Sequence, residues 1–127
     1  MQEGEKVKNI LVVDDQDNIR RLIEISLRGD DRHIYGVDSG EKAIDFAQRE
    51  KLDLIILDVV MPEGMDGFEA LQILKTDPQT QNCPVVMLTA RTLESDRNRA
   101  FESGASDYIT KPFKVEMLQQ KVRKILS

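Results

Sequence analysis

Three aspartates carry the chemistry legible in this 127-residue chain: Asp14, Asp15 and Asp58. Asp14 and Asp15 close the apolar run Ile10-Leu11-Val12-Val13, and Asp58 closes Leu52-Asp53-Leu54-Ile55-Ile56-Leu57. Such runs read as buried strands. A carboxylate at the end of each stands at the mouth of a sheet. With the two strands side by side in a parallel sheet, three carboxylates converge at one edge. Like charges a few Å apart repel and raise one another's pKa. A divalent cation relieves that cost, and oxygen-only ligands suit Mg²⁺, which takes one or two carboxylates with water and phosphate. The cluster therefore points to metal-assisted phosphoryl chemistry, with one aspartate as the nucleophile.

The elements that must position these acids alternate strand and helix five times. Strands are expected at Val7–Val13, His33–Val37, Leu52–Leu57, Pro84–Leu88 and Ala105–Ile109. A helix over Gln16–Arg28 puts Ile19, Leu22, Ile23 and Ser26 on one face. Ser39 reads as the N-cap of a helix to about Glu50, with Ile44 and Ala47 inward. Asp66-Gly67-Phe68-Glu69 fits a capping box opening a helix to about Thr76. The helix at Thr92–Ser103 would turn Leu93, Arg97, Ala100 and Phe101 to one side, and Gly104 stops it. A last helix, Phe113–Leu126, carries Val115, Leu118, Val122 and Ile125 inward. Alternating βα units with short loops imply a doubly wound α/β fold, a parallel sheet with helices on both faces. Ligands of such sheets bind beyond the carboxyl ends of the strands. All three acids sit there.

Length and composition suit one domain over residues 7–127, behind a mobile segment at residues 1–6. The net charge of −5 argues against non-specific nucleic-acid binding. No apolar run is long enough to span a bilayer, and the N-terminus carries no apolar signal region. One cysteine, Cys83, excludes an internal disulfide, and a single histidine, His33, beside it excludes a zinc cluster. A reducing, cytoplasmic compartment is the simplest reading. Cys83 is expected to be a partly buried small hydrophobe, His33 a strand-edge residue, and Arg20-Arg21 and Arg97–Arg99 solvated helix faces.

Two further strand ends are polar: Thr89 ends the fourth strand, and the fifth leads to Lys111-Pro112. Four motifs thus stand in order: Asp14-Asp15, Asp58 followed by Met61-Pro62 and Asp66-Gly67, Thr89-Ala90-Arg91, and Lys111-Pro112-Phe113. Together they resemble the receiver domain of response regulators in bacterial two-component signalling, chemotaxis-regulator-like, from Ile10 to about Leu126. The resemblance implies a flavodoxin-like, five-stranded parallel sheet of order 2-1-3-4-5 with five helices.

It also implies roles. Asp58 would accept a phosphoryl group from a phosphohistidine on a sensor histidine kinase or a phosphotransfer protein. Asp15, Asp58 and the Val60 backbone carbonyl would bind Mg²⁺, with Mn²⁺ as a substitute, and Asp14 would act through a metal-bound water. Lys111 would pair with the carboxylate first and a phosphoryl oxygen later, and Thr89 would bond another. Tyr108 would be the rotating switch partner of Thr89, turning inward on phosphorylation. Val60 and Arg91 would flank the approach of a hydrolytic water, with Arg91 long enough to screen the phosphate or to point to solvent. Lys111-Pro112 resembles the family's cis peptide. A downstream protein or a fused effector domain would read the switched surface, and a phosphorylation-dependent dimer is allowed. Such a domain catalyses only its own phosphorylation and dephosphorylation, and it binds neither nucleic acid nor membrane.

One departure marks the loop after Asp58. Two residues, Glu63-Gly64, separate Met61-Pro62 from Met65-Asp66-Gly67, where the family usually has one. Glycine there can absorb an insertion by adopting positive φ. Two other functions compete with this reading. Asp15-Gln16-Asp17-Asn18-Ile19 loosely resembles the motif of haloacid-dehalogenase-like phosphohydrolases, but the acidic pair expected beyond the lysine is missing. A phosphorylation-independent scaffold is disfavoured because the acids and the lysine are all present.

Overall fold

Period-two alternation within nearly continuous apolar strands dictates the architecture. In the computed structural model, which describes residues 7–127, Ile10 and Val12 face one side of the sheet and Leu11 and Val13 the other. The expected mobile segment at residues 1–6 lies outside the described residues. The elements in order are β1 (Lys8–Val13), α1 (Asp17–Ser26), β2 (Arg32–Val37), α2 (Gly40–Arg49) and β3 (Leu54–Leu57). They continue with α3 (Gly67–Thr76), β4 (Val85–Thr89), α4 (Glu94–Glu102), β5 (Asp107–Thr110) and α5 (Val115–Leu126). All strand pairs are parallel, in the order β2-β1-β3-β4-β5. Helices α1 and α5 close one face over Ile23, Leu27, Leu118 and Val122. On the other face α2, α3 and α4 pack over Leu11, Ile55, Leu71 and Met87. Among the described residues no helix is long and apolar enough to cross a membrane.

Several local expectations need correction. Strand β5 begins at Asp107, two residues later than expected. In α1 the inward row is Ile19, Ile23 and Leu27, at i, i+4, i+8 spacing, while Leu22 is 45% exposed. Helix α4 departs furthest. Its buried residues are Asp96 and Ala100, whereas Leu93 and Phe101 lie in solvent. Phe101 is one residue, about 100° of rotation, past Ala100. There it stacks under the Arg97 guanidinium, 5.3 Å from the ring centroid. The arginines are also not simply solvated. Arg99 lies 4.1 Å over the Phe68 ring, and Arg97 donates to the Tyr108 carbonyl at 3.2 Å. Cys83 is partly buried, and burial pushes its thiol up to about 11.

The loop between β3 and α3 absorbs its additional residue at Gly64, whose φ is +79°. Glu41, in the first turn of α2, accepts the Met65 N–H at 2.9 Å and fixes the loop from the neighbouring helix on the same face. The capping box then closes as expected: Asp66 accepts from the Glu69 N–H, and Glu69 from the Asp66 N–H, at 2.9 and 3.0 Å. Gly67 seats the start of α3 directly on the backbone of Asp58 and Val59. Its N–H donates to the Val59 carbonyl at 2.9 Å, and a Cβ there would lie 2.6 Å from Val59 Cα.

Candidate functional site

Backbone pairing carries the acids to one point. The Asp14 N–H donates to the Val37 carbonyl and the Asp58 N–H to the Val13 carbonyl, at 3.2 and 3.0 Å, so both ladders run one residue past their strands. The carboxylates of Asp14, Asp15 and Asp58 each offer an oxygen within 4.8 Å of the others. Asp14 and Asp58 are buried, and Asp15 is exposed. The Lys111 N–H donates to the Thr89 carbonyl at 2.7 Å, which brings the lysine in from the β5 side. Its ammonium then bonds Asp14 Oδ2 at 2.8 Å and Asp58 Oδ2 at 3.1 Å. The Lys111–Pro112 peptide is cis.

Burial holds the Asp58 carboxyl above the ordinary carboxylate range, and the neighbouring charge of Asp14 adds to that, against the pull of Lys111. Burial works against the Lys111 charge, but its bond to Asp14 and the charge of Asp58 outweigh it, so its pKa is raised. One ammonium is therefore shared by two buried carboxylates, while the third acid faces solvent. Asp14 is further fixed through Oδ1, which accepts the Gln16 N–H at 2.9 Å, and Asp58 Oδ1 accepts the Val60 N–H at 3.1 Å. Among the described residues, Asp15 accepts no hydrogen bond. Hard, anionic oxygens with one unpartnered member fit a small divalent cation such as Mg²⁺. A cavity of about 230 Å³ opens beside them, with Asp15, Asp58, Val60 and Lys111 among its walls.

A family model described as the response regulator receiver domain matches residues 10–123. The chain belongs to the response-regulator receiver family. Among curated proteins, this receiver is 41% identical over 118 residues to the heme response regulator HssR of Staphylococcus epidermidis. That match covers 93% of this chain and 51% of the relative, so the chain spans about half the length of the curated relatives it matches. Among solved structures, the chemotaxis protein CheY4 of Vibrio cholerae superposes with a TM-score of 0.86 at 30% identity, over 94% of this chain and 99% of that one. The receiver domain of the sensor histidine kinase PA1611 of Pseudomonas aeruginosa gives 0.84 at 30% identity, over 94% and 98%. That neighbour has a magnesium ion coordinated in its active-site cleft. The present chain is thus a receiver domain of two-component signal transduction, with an acidic pocket of the kind in which receivers bind magnesium.

The receiver's other expected residues fall around this pocket in different ways. Val60 lies at its mouth, 45% exposed. Thr89 is fully buried, and its Oγ1 accepts the Arg91 N–H at 3.3 Å. Tyr108 is inward, 4% exposed, with its hydroxyl donating to the Arg91 carbonyl at 3.0 Å. The Arg91 side chain neither covers the pocket nor reaches freely into solvent. It forms a two-pronged pair with Asp96, 2.9 and 3.1 Å, at the start of α4. Asp17, the second acid of the phosphohydrolase-like motif, lies outside the carboxylate cluster and accepts from Arg20 at 2.7 Å.

Sequence reasoning missed Arg20 and Asp96, and it read Gly67 only as part of the Asp66-Gly67 motif and the capping box. Asp17, Arg20 and Glu24 stand at i, i+3, i+7, a spacing that signals a paired row along one helix face. Nothing local shows what Gly67 touches, because its contact partner is the backbone just after β3.

Proposed function

We infer that this receiver takes a phosphoryl group onto Asp58 from the phosphohistidine of a sensor histidine kinase or a phosphotransfer protein. The observation that carries the reading is Lys111 bridging Asp14 and Asp58 beside the cavity that Asp15 flanks. An Asp58 oxygen attacks phosphorus while the bond to the donor histidine nitrogen breaks, and that nitrogen leaves with the electron pair. Lys111 moves its donors onto a phosphoryl oxygen, and the Thr89 hydroxyl donates to another. When bound by Asp15, Asp58 and the Val60 carbonyl, and by Asp14 through water, Mg²⁺ or its substitute Mn²⁺ neutralises charge on the equatorial oxygens. The chain itself supplies positioning and fixed charge, the main contributions to this chemistry.

Loss of the phosphoryl group is slow in this reading, over minutes or longer. Val60, at the cavity mouth, offers no group to hold an attacking water, and Arg91 is committed to Asp96. The domain works in the cytoplasm beside its kinase. A downstream protein or an effector domain reads the face of α4, β5 and α5, where Leu93, Phe101 and Met117 are exposed. A phosphorylation-dependent dimer through that face belongs to the same reading.

The test is labelling by acetyl phosphate with Mg²⁺, followed by mapping of the modified peptide. Asp58 should carry the label, and Asp15→Ala and Asp58→Asn should abolish it. A label on Asp14 or Asp53 in the wild type overturns the reading.

A further inference from the structure

We propose that Arg20 is a positioning residue for the metal site: its guanidinium holds the peptide joining Asp14 to Asp15 and thereby aims the Asp15 carboxylate. The proposal rests on the functional reading above. Asp15 is the one acid of the cluster with no hydrogen bond of its own among the described residues, so its direction depends on the backbone beneath it. That backbone is held from several sides. The Asp14 N–H is tied to Val37, and its carboxylate to the Gln16 N–H and Lys111. The carbonyl that leads into Asp15 is tied to Arg20, whose Nη1 donates to it at 2.9 Å.

Arg20 is itself braced. Its Nη2 donates to Asp17 Oδ1 at 2.7 Å, its Nε lies 3.7 Å from Glu24 Oε2, and its side chain is only 17% exposed. Gly36 of β2 leaves the space for this arrangement: a Cβ there would meet the Glu24 carboxylate and approach Arg20 Cδ to 3.2 Å. The planar fork suits the task. A guanidinium spreads its donors over a rigid plane, so it reaches a carbonyl, a carboxylate and a second acid from fixed directions, whereas an ammonium offers its three donors from a single point.

The sign of the effect separates positioning from plain electrostatics. Arg20 is a cation close to a cation site, so its charge alone opposes metal binding. Removing it by Arg20→Gln should tighten Mg²⁺ if charge dominates. Positioning predicts weakening instead, and partners that orient metal ligands are typically worth 10–100-fold in affinity.

The experiment is calorimetric Mg²⁺ titration of wild type, Arg20→Gln, Arg20→Lys and Arg21→Gln, each with a thermal melt in EDTA. Arg20→Gln should bind about tenfold more weakly. Arg20→Lys, which keeps the charge but not the fork, should also lose affinity. Arg21 is an exposed neighbour, and Arg21→Gln should bind as the wild type or slightly better. Equal or tighter binding by Arg20→Gln overturns the proposal, as does an equal loss in Arg21→Gln. Should Arg20→Gln melt out in EDTA, Arg20→Lys decides, and an affinity within about twofold of wild type overturns the proposal. A wild type that binds no Mg²⁺ overturns the functional reading as well.

Discussion

Gly67→Ala should damage both stability and phosphorylation, although alanine is the better helix former. The added methyl would meet the Asp58 carbonyl oxygen and lie 2.6 Å from Val59 Cα. Carbon atoms pack best about 3.5–4.0 Å apart, so α3 and the strand end must separate by about 0.9 Å. Neither side yields easily. The helix start is locked by the Asp66–Glu69 box, and the strand end by the Asp58–Val13 ladder bond. Inserting a methyl into so tight a contact costs about 2 kcal/mol. Alanine's propensity advantage over glycine, at most about 1 kcal/mol, does not offset it.

The net loss of about 1–2 kcal/mol lowers the melting temperature of a domain this size by roughly 4–8 °C. The same displacement falls on the residue that would receive the phosphoryl group. A shift approaching 1 Å at a reacting atom costs up to about 100-fold in rate. The assays are thermal melts by circular dichroism and the initial rate of labelling by acetyl phosphate in excess Mg²⁺. Gly29→Ala is the control, since the nearest atom to a Cβ there is the movable Asp31 carboxylate, at 3.2 Å. A Gly67→Ala protein that melts with the wild type and labels at its rate would refute the argument that this glycine seats α3 against Asp58.

Neutralising Asp58 by Asp58→Asn should raise stability near neutral pH in EDTA. The folded state holds that carboxyl above its ordinary value of 3.8, chiefly through burial, so its stabilising contribution exists below 3.8 and is lost as pH rises through the raised value. Melts from pH 3 to pH 8 should show the two proteins converging at the acid end, and a wild type as stable as the variant at pH 7 would sink the idea. Val60→Asn or Val60→Gln should speed loss of the phosphoryl group by about tenfold, equivalent to about 1.4 kcal/mol of barrier, by offering a bond to the attacking water. The check is decay of the phosphorylated protein after donor removal, and unchanged decay in both variants would show that position 60 does not limit access.

The parts of this structure legible in the sequence are those with a local or periodic signature. The capping box of α3 is written in Asp66 and Glu69, and the positive φ of Gly64 in the length of its loop. The convergence of Asp14, Asp15 and Asp58 follows once two apolar strands are placed side by side in a parallel sheet. Helix α4 escaped because its sequence, Glu94–Glu102, is dominated by polar residues and its burial comes from one alanine and one aspartate. Asp96 is tolerated in that position because Arg91 satisfies both its oxygens, and no periodicity rule anticipates a buried acid. Arg20 escaped for a related reason. Its important acceptor is a main-chain carbonyl, which every residue possesses.

Tyr108 makes another such hidden contact, since its acceptor too is a main-chain carbonyl. The family resemblance implies a ring that turns inward when Thr89 moves. The structure places the ring inside, its hydroxyl on the Arg91 carbonyl. Arg91 is thus held at three points: its N–H by Thr89, its carbonyl by Tyr108 and its guanidinium by Asp96. A ligand or modification shifts a conformational equilibrium only by the difference in its interactions with the two states. The bond of the Tyr108 hydroxyl to the Arg91 carbonyl is one such interaction. The remaining candidates are contacts that a phosphoryl group on Asp58 would itself create. Thr89 accepts a bond through Oγ1 and still has its own O–H to donate. Lys111 is shared between two acids and would have to release part of its hold on Asp14 to reach a phosphoryl oxygen. On the proposed function, the Lys111–Asp14 bond and the Thr89 hydroxyl would thus both contribute to the energetic difference between the two states of this domain.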